Sequence, residues 1–313
     1  MSTPKPLYGA VGAVITNDIL YCDGSSITNI KGGSAYALEG LKLWTDDCFM
    51  VAKVGLDFEK YYGEWYNNNG IPRTGITPVD EVGIYNRVTY NADGSYTEAP
   101  VFEDWDSYQF HFGHMTVDHT NLLNTCQTAK GYYIGLAPNR AFWSQVAKLK
   151  QQYGFAVMWE IVTADCIPQN LAAIKECLAG VDMFSLNMHE ACCLFETEDE
   201  EECIRLVQQL PVAFTLLRAG EEGLYTVTPN RVAFVPIRRY DGPVQDPTGC
   251  GNSSTAAALW AWCQGYDDIM IGLIANTTAY YNVQQFGPME HFDTAIREKE
   301  LAYLKKEREK YPQ

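Results

Sequence analysis

Short apolar runs alternate with longer segments of helical period along most of this chain, and turn residues separate them. The apolar runs predict strands at 8–21, 48–54, 108–112, 132–137, 155–161, 183–187, 212–217, 223–228 and 231–236. The longer segments predict helices at 34–43, 58–67, 118–130, 139–154, 167–178, 200–210, 253–264, 268–286 and 294–310. This alternation is typical of a doubly wound α/β fold, in which helices cover both faces of a mostly parallel sheet. Ligands of such folds bind at the carboxyl ends of the strands.

A β-hairpin interrupts the alternation. Residues 82–90 and 95–97 read as two strands around an Asp-Gly turn at Asp93-Gly94. We interpret the hairpin as part of a small β lid, formed by about residues 8–21 and 72–102, on a single domain that spans residues 1–313. Because unpaired strand edges seek a cover, the lid also predicts a homodimer formed through it.

Composition excludes several classes of protein. The chain has 313 residues, of which 47% are hydrophobic and 20% charged, and its net charge is −16. Nucleic acids and anionic membranes bind basic surfaces, so we predict neither as a partner. No apolar run approaches the ~20 residues that span a bilayer. The ten cysteines include no Cys-x-x-Cys pair and the first residues lack the layout of a signal peptide, so we expect reduced thiols in a cytoplasmic protein.

A glycine-rich turn precedes the predicted helix at 253–264. It reads Asp246-Pro247-Thr248-Gly249-Cys250-Gly251-Asn252. Glycines allow a tight turn and a close approach of the backbone to a ligand. The first N–H groups of a helix have no partners within it, and with the helix dipole they form a site for a phosphate or another anion. The turn is therefore where the sequence predicts chemistry.

Five motifs, in order and over nearly the whole chain, resemble those of the ribokinase-like, or PfkB, family of carbohydrate and nucleoside kinases. They are Gly32-Gly33; Lys53-Val54-Gly55-Leu56-Asp57 with Gly63; Asn187-Met188-His189-Glu190; Thr215-Leu216-Leu217-Arg218-Ala219-Gly220-Glu221-Glu222-Gly223; and the turn from Asp246 to Gly251. The resemblance implies a ribokinase-like fold and ATP- and Mg²⁺-dependent phosphorylation of a hydroxyl on a small sugar or nucleoside.

The resemblance also implies particular roles. The implied sites are catalytic at Gly249, Cys250, Gly251 and Asn252; nucleotide-binding at Thr215, Gly220, Gly223, Asp246 and Thr248; acceptor-binding at Asp18, Gly32 and Gly33; and metal-binding, through water, at Asn187 and Glu190. Asp18 fits equally well as a turn or cap residue after the first strand, and Glu190 as a residue that starts a helix after Asn187. Cys250 serves either as a small spacer or as a reactive thiol, because a helix N-terminus lowers the pKa of a thiol.

The chain departs from the family pattern around the acceptor. Asn252 stands where the family has an aspartate, the presumed base, and an amide cannot accept a proton at neutral pH. Tyr36 and Ala37 occupy the region of a usual asparagine, and Trp159-Glu160 replaces an Asp-x-Asn strand end. The candidates for a replacement carboxylate are Asp18, Asp241, Asp246 and Glu160.

Two hypotheses of function follow from Asn252. Phosphoryl transfer depends mainly on positioning and charge neutralisation, whereas a general base contributes ~10²–10⁴-fold, so the substitution is compatible with a slow kinase. The alternative is a kinase-fold protein that binds a nucleotide or sugar as a binding or regulatory module. A dinucleotide-dependent oxidoreductase would need a Gly-x-Gly-x-x-Gly turn after the first strand, and the sequence lacks one there.

Overall fold

Two sheets organise the computed structural model, which describes residues 7–91, 96–101 and 105–312. The strands are β1 (Tyr8–Val11), β2 (Val14–Leu20), β3 (Ser26–Gly33), β4 (Cys48–Gly55), β5 (Gly75–Asp80), β6 (Ile84–Tyr90), β7 (Tyr96–Pro100), β8 (Gly131–Gly135), β9 (Ala156–Glu160), β10 (Met183–Asn187), β11 (Phe214–Arg218), β12 (Gly223–Thr228) and β13 (Arg231–Pro236). Within the described ranges, the large sheet has nine strands in the order β13-β12-β11-β10-β9-β8-β1-β4-β5, and the small sheet has four in the order β3-β2-β6-β7.

The large sheet is parallel from β11 to β5, and β12 and β13 add an antiparallel pair at one edge. The central strand β1 is buried along its whole length. A parallel strand covered on both faces reads as a continuous apolar run, which is why the sequence revealed these strands. The expected doubly wound α/β fold with a smaller sheet is confirmed.

Helices cover both faces of the large sheet. They are α1 (Ser34–Trp44), α2 (Phe58–Asn68), α3 (Trp105–His114), α4 (Arg140–Tyr153), α5 (Leu171–Leu178), α6 (Met188–Phe195), α7 (Glu200–Gln208), α8 (Cys250–Cys263), α9 (Asp268–Asn282) and α10 (Thr294–Arg308). The core around α1, α8 and α9 takes Tyr133 from β8, whereas the core around α4 to α7 takes its neighbours Tyr132 and Ile134. Successive side chains of a strand point to opposite faces, so these are the two faces of one sheet.

The small sheet has other boundaries than the sequence suggested for the lid. Residues 8–11 form β1 in the middle of the large sheet, and β5 extends its edge. The small sheet instead gains β3, which pairs with β2. The break falls at Gly12, where a Cβ would lie 2.5 Å from Ser34 Oγ. The chain between Asn91 and Tyr96, with the predicted Asp93-Gly94 turn, lies outside the described residues.

Two local predictions are wrong. The predicted strand at 108–112 is part of the helix α3, in which the rings of Tyr108 and Phe112 lie 5.7 Å apart. Residues four apart lie on the same face of a helix. The alternating aromatic residues that suggested a strand therefore pack along one face of α3. The predicted helix at 118–130 is only the short 3₁₀ helix His119–Leu122, which Asp118 caps by accepting the N–H of Thr120, followed by turns.

Helix α8 is held by close packing against α1. A Cβ built on Gly40 of α1 would lie 2.0 Å from the carbonyl oxygen of Ser253, so the two helices touch at their backbones. This contact lies one turn from the start of α8 and fixes the glycine-rich turn in space. Among the described helices, none is long and apolar enough to cross a membrane.

Candidate active site

The ends of three parallel strands meet the glycine-rich turn at one edge of the large sheet. Glu160 ends β9, Asn187 ends β10 and Arg218 ends β11. The first turn of α8 lies beside them, since a Cβ on Gly251 would lie 1.8 Å from Arg218 Nη1 and 3.1 Å from Glu160 Oε1. Polar groups that are far apart in sequence therefore converge where ligands of such folds bind.

The turn itself requires glycine at position 249. Asp246 accepts the N–H of Thr248 at 2.9 Å, and Gly249 then adopts φ 82° and caps α8. A Cβ at this residue would lie 2.1 Å from the ring of Tyr36. Tyr36, which stands in the region of the family's asparagine, is buried against the turn. Tyr36 thus shapes the glycine-rich turn.

Helix α8 begins at Cys250, three residues before the sequence prediction. The N–H of Cys250 donates to the Pro247 carbonyl at 3.2 Å, and the N–H of Ser253 donates to the Gly249 carbonyl at 2.9 Å. Between them, Gly251 and Asn252 occupy positions whose N–H groups have no partners within a helix. The predicted use of the turn's N–H groups by an oxyanion stays a prediction, and the N–H of Cys250 is already used by the Pro247 carbonyl.

Cys250 is half-buried and makes a polar contact with α9. The side chain of Asn282 donates to the Thr248 carbonyl at 2.8 Å and to Cys250 Sγ at 3.2 Å. Burial raises the pKa of the Cys250 thiol to about 11, which is opposite to the lowering expected at a helix N-terminus. Desolvation of the thiolate outweighs the dipole and the Asn282 hydrogen bond here.

We expect Cys250 to be alkylated slowly. At pH 8 a thiol with a pKa of about 11 is almost entirely protonated, and only the thiolate reacts. Iodoacetamide labelling followed by peptide mass spectrometry should modify the exposed Cys22 and Cys193 at least tenfold faster than Cys250. Equal or faster labelling of Cys250 would contradict its assignment as a spacer.

Asn252, on α8, directs its amide towards a carboxylate at the end of β9. Its Nδ2 lies 3.2 Å from Glu160 Oε2 and 2.9 Å from the Tyr133 hydroxyl oxygen. The Tyr133 hydroxyl donates to the same Glu160 oxygen at 2.7 Å. Of the four candidate carboxylates, Glu160 is therefore the one placed beside Asn252. Burial raises the pKa of Glu160, opposed by the positive charge of Arg218.

Arg218 joins two buried carboxylates. Its Nη2 lies 2.9 Å from Glu160 Oε1 and 3.7 Å from Glu190 Oε2. The Arg218 side chain is 17% exposed, against 8% and 4% for the two glutamates. Unpaired charges at this depth would be costly, so Arg218 is placed to compensate the two buried carboxyl groups.

Asn187 and Glu190 form a reciprocal capping box at the start of α6. The N–H of Glu190 donates to Asn187 Oδ1 at 2.8 Å, and the N–H of Asn187 donates to Glu190 Oε2 at 2.7 Å. The Thr163 hydroxyl donates to Glu190 Oε1 at 2.6 Å. The alternative interpretation of Glu190 as a helix-starting residue therefore describes its contacts in the structure.

A magnesium ion bound directly by this pair does not fit. Each Glu190 oxygen already accepts a hydrogen bond, the Asn187 oxygen is used by the cap, and the Arg218 guanidinium is 3.7 Å away. The described part of the chain contains no group of three or more His, Cys, Asp or Glu side chains that could hold a metal ion. A hydrated ion that reaches Glu190 through water would use only the remaining lone pairs, and this remains a prediction.

The residues predicted beside the nucleotide divide into two groups. Thr215 is 1% exposed at the second position of β11, inside the sheet. Gly220 follows the carboxyl end of β11 with φ 61° and open space around it, whereas a Cβ on Gly223 would lie 2.3 Å from the Val235 carbonyl. Gly220 and Gly223 both lie at the carboxyl end of β11, on the edge that carries the α8 turn, because Arg218 pairs with Leu224 at the start of β12.

The predicted acceptor residues lie on or beside the small sheet. Asp18, next to an irregularity in the pairing of β2 with β3, accepts the Tyr85 hydroxyl at 2.7 Å and the N–H of Asn29 at 3.1 Å. Gly33 has φ 59° and leads into α1. A Cβ on Gly33 would lie 2.4 Å from the Ala13 carbonyl oxygen. The Gly32 N–H donates to the Tyr62 hydroxyl at 3.3 Å.

A small cavity of about 20 Å³ lies between the small sheet and the start of α2. Its lining includes Thr16, Tyr61, Tyr62 and Tyr85, together with Asp57, whose carboxylate accepts the N–H of Gly83 at 2.8 Å. This lining brings together aromatic faces and hydroxyl groups. At this volume the cavity has room for about one water molecule.

Sequence reasoning missed several contributors to the site. They are Tyr133, Thr163, Arg218 as a charged group, and Asn282. Arg218 carries a signal that could have found it, because a charged residue ending the buried run Phe214–Arg218 lies at the ligand edge of a parallel sheet. Tyr133 carries none, since it reads as one more apolar strand residue.

Comparisons with known proteins give one family match, one curated relative and several similar structures. A model of the family described as pfkB family carbohydrate kinase matches residues 23–295. The uncharacterized protein C16C9.01c of Schizosaccharomyces pombe is 23% identical over 325 residues, which cover 90% of this chain and 85% of that protein. Arabidopsis thaliana ribokinase complexed with ribose and ATP superposes with a TM-score of 0.75 at 20% identity, covering 96% of this chain and 99% of that one. Adenosine kinase from Sinorhizobium meliloti gives a TM-score of 0.75 at 16% identity, covering 95% and 99%.

Proposed function

Because this chain belongs to the pfkB family of carbohydrate kinases, we propose that it transfers the γ-phosphoryl group of ATP, with Mg²⁺, to a hydroxyl of a small sugar or nucleoside. The observation that carries the proposal is the α8 turn with the buried Glu160 and Arg218 against it. A kinase needs donors for the phosphoryl oxygens and a carboxylate near the acceptor hydroxyl. The turn offers the donors and Glu160 offers the carboxylate.

Glu160 takes the part of the missing aspartate in this proposal. The acceptor hydroxyl loses its proton to Glu160 as its oxygen bonds to the γ-phosphorus, and the bond from that phosphorus to the ADP oxygen breaks. Burial raises the pKa of Glu160, which makes the carboxylate a better proton acceptor than a solvated one. Asn252 and Tyr133 both donate towards Glu160 Oε2 and hold the carboxylate in place.

The remaining residues would bind and enclose the reactants. The N–H groups of Gly251 and Asn252 would receive the transferred group, with Asp246 and Thr248 holding the turn. ATP brings Mg²⁺ with its phosphates, and the ion would add charge neutralisation there. Asp18, Gly32 and Gly33 would face the acceptor, and the small sheet would act as a lid that excludes water.

Acceptor-dependent ADP release with Mg²⁺-ATP, over a panel of sugars and nucleosides, tests the proposal. We expect slow turnover by the wild type, and a fall of at least about 10²-fold in kcat for Glu160→Gln. Asn252→Ala should lose much less, because the base stays in place. Wild-type activity that Glu160→Gln leaves unchanged would remove Glu160 from the reaction.

A binding protein without turnover is the second candidate. It is favoured by the Asn252 amide, which is held between Tyr133 and Glu160 rather than free to meet an acceptor. Nucleotide binding without acceptor-dependent ADP release would support it, above all if Asn252→Asp then became active. Turnover by the wild type on any acceptor would exclude it.

Two further expectations stay proposals. The edges of the small sheet, β3 and β7, would pair two copies of the chain in a lid-to-lid homodimer, which analytical ultracentrifugation would detect. We also propose a cytoplasmic location, in keeping with the free cysteines.

A further inference from the structure

The guanidinium of Arg218 lies directly on the phosphate-binding turn. Its Nη1 comes so close to the Gly251 backbone that a Cβ there would be 1.8 Å away. Its Nη2 bonds to Glu160 at 2.9 Å. Its Nε is buried and finds no hydrogen-bond partner among the described residues. An arginine that only neutralised carboxylates would not need to cover a glycine of the turn.

The Arg218 Nε–H without a partner is energetically unfavourable. A buried polar group without a hydrogen bond destabilises the folded state, and arginine has five N–H donors in one rigid plane. An oxyanion on the N–H groups of Gly251 and Asn252 would lie beside this plane. It could accept from Arg218 in the bidentate manner that guanidinium groups offer to phosphates.

The groups around Arg218 are acidic, so a phosphate bound there would need a positive charge beside it. Glu160 and Glu190 face it from β9 and α6, and a phosphate placed beside two carboxylates would be repelled unless a positive charge stood between them. Mg²⁺ commonly supplies that charge in phosphoryl transfer, yet a directly bound ion does not fit Asn187 and Glu190. Arg218 is a positive charge that the chain itself fixes at the turn.

We propose that Arg218 binds the phosphate chain of the nucleotide directly and so lets the turn hold a polyphosphate without a divalent metal. The inference rests on the proposed function, because it takes ATP as the ligand. The inference adds to the proposed function a phosphate-binding residue that acts independently of Mg²⁺. The metal would then be needed for transfer and not for capture of the nucleotide.

Isothermal titration of the intact chain with ATP, in EDTA and in excess Mg²⁺ and without acceptor, tests this. We expect the wild type to bind ATP in EDTA with a dissociation constant within about tenfold of its value in Mg²⁺. Arg218→Gln should weaken binding in EDTA by about 10- to 100-fold, the range of a charge-assisted hydrogen bond. The affinity of Arg218→Lys for ATP in EDTA should lie between those of the wild type and Arg218→Gln, because lysine keeps the positive charge but lacks the planar guanidinium donors.

A double variant separates direct contact from net charge. Arg218→Gln alone leaves Glu160 unpaired, whereas Glu160→Gln with Arg218→Gln restores the original balance of charge. If Arg218 binds phosphate, the double variant stays weak in EDTA and Glu160→Gln alone binds more tightly than the wild type. If the double variant recovers wild-type affinity, the inference is overturned.

The control is Arg205→Gln, which removes an exposed arginine paired with Glu202 on α7 and should leave ATP affinity unchanged. Thermal unfolding of every variant shows that each is folded. Binding by the wild type in Mg²⁺ but not in EDTA would overturn the role of Arg218 and leave the proposed function standing. Binding in neither condition would overturn both.

Discussion

Gly249→Ala should lower the free energy of unfolding by about 3 kcal/mol and weaken ATP binding at least tenfold. An alanine at φ 82° is strained, which costs roughly 1–2 kcal/mol. Its Cβ would also lie 2.1 Å from the ring of Tyr36, and overpacking of a buried site costs roughly 1–3 kcal/mol more. Either the ring or the turn has to move, and the turn carries the N–H groups that we expect to hold phosphate.

Gly265→Ala is the matched control at the other end of the same helix. Gly265 has φ 78°, nearly the value of Gly249, but nothing lies within 4 Å of the position of its Cβ. It should therefore show only the backbone strain, roughly 1–2 kcal/mol, and normal ATP binding. Urea unfolding and ATP titration of the two variants measure the difference. Equal losses of stability would mean that Tyr36 yields and does not define the turn.

Much of the large sheet could be predicted from sequence because its strands are buried on both faces. The runs at Met183–Asn187 and Gly223–Thr228 have the bounds that the sequence predicted. The polar strand Ser26–Gly33 was missed, since most of its residues are exposed or half-buried and it pairs in the small sheet. Gly75–Asp80 was missed for another reason. It contains Pro78, and proline in a strand is tolerated mainly at a sheet edge, which is where this strand lies.

The candidate site was only partly visible in the sequence. The turn at Gly249 could be found because its glycines, and the helix after them, form a local pattern. The contact of Asn252 with Glu160 joins residues 92 positions apart, and no spacing rule predicts it. Glu160 was one of four possible carboxylates until the parallel register of β8, β9 and β10 placed it at the edge.

The role of Asn187 and Glu190 shows why a motif does not settle a contact. Their spacing suits a helix cap as well as a water-mediated metal site, because both need two side-chain oxygens on residues three positions apart. The structure shows the cap, with each side chain accepting the other's N–H. The metal role would be added to this cap through water and would not replace it.

Glu39→Gln should stabilise the protein increasingly as the pH rises from 5 to 8. Glu39 is 1% exposed on α1, with one oxygen accepting the Met289 N–H at 3.2 Å and the other buried without a partner among the described residues. Burial raises its pKa from 4.5 to about 8. The nearby Tyr36 and Cys250 also have raised pKa values, so both side chains stay neutral in this range and neither adds a charge beside Glu39.

The sign follows from proton binding. Between pH 4.5 and about 8 the folded state keeps the Glu39 proton and the unfolded state has lost it, so the wild type loses stability as the pH rises through this window. The loss is about 1.4 kcal/mol per pH unit, or about 3 kcal/mol by pH 7. Glutamine resembles the protonated acid and does not titrate, so the advantage of the variant should be near zero at pH 4.5 and grow to that size.

Glu300→Gln supplies the opposite case. Glu300 is 2% exposed as well, but it pairs with Arg238 and accepts the Tyr281 hydroxyl at 2.8 Å. Removing its charge leaves the half-buried Arg238 without its partner, which should destabilise the protein at every pH in the range. Urea unfolding of both variants and the wild type at pH 5, 6, 7 and 8 measures the slopes. A Glu39→Gln advantage that is constant with pH would show that the acid is ionised in the folded protein, and that an unseen partner satisfies its second oxygen.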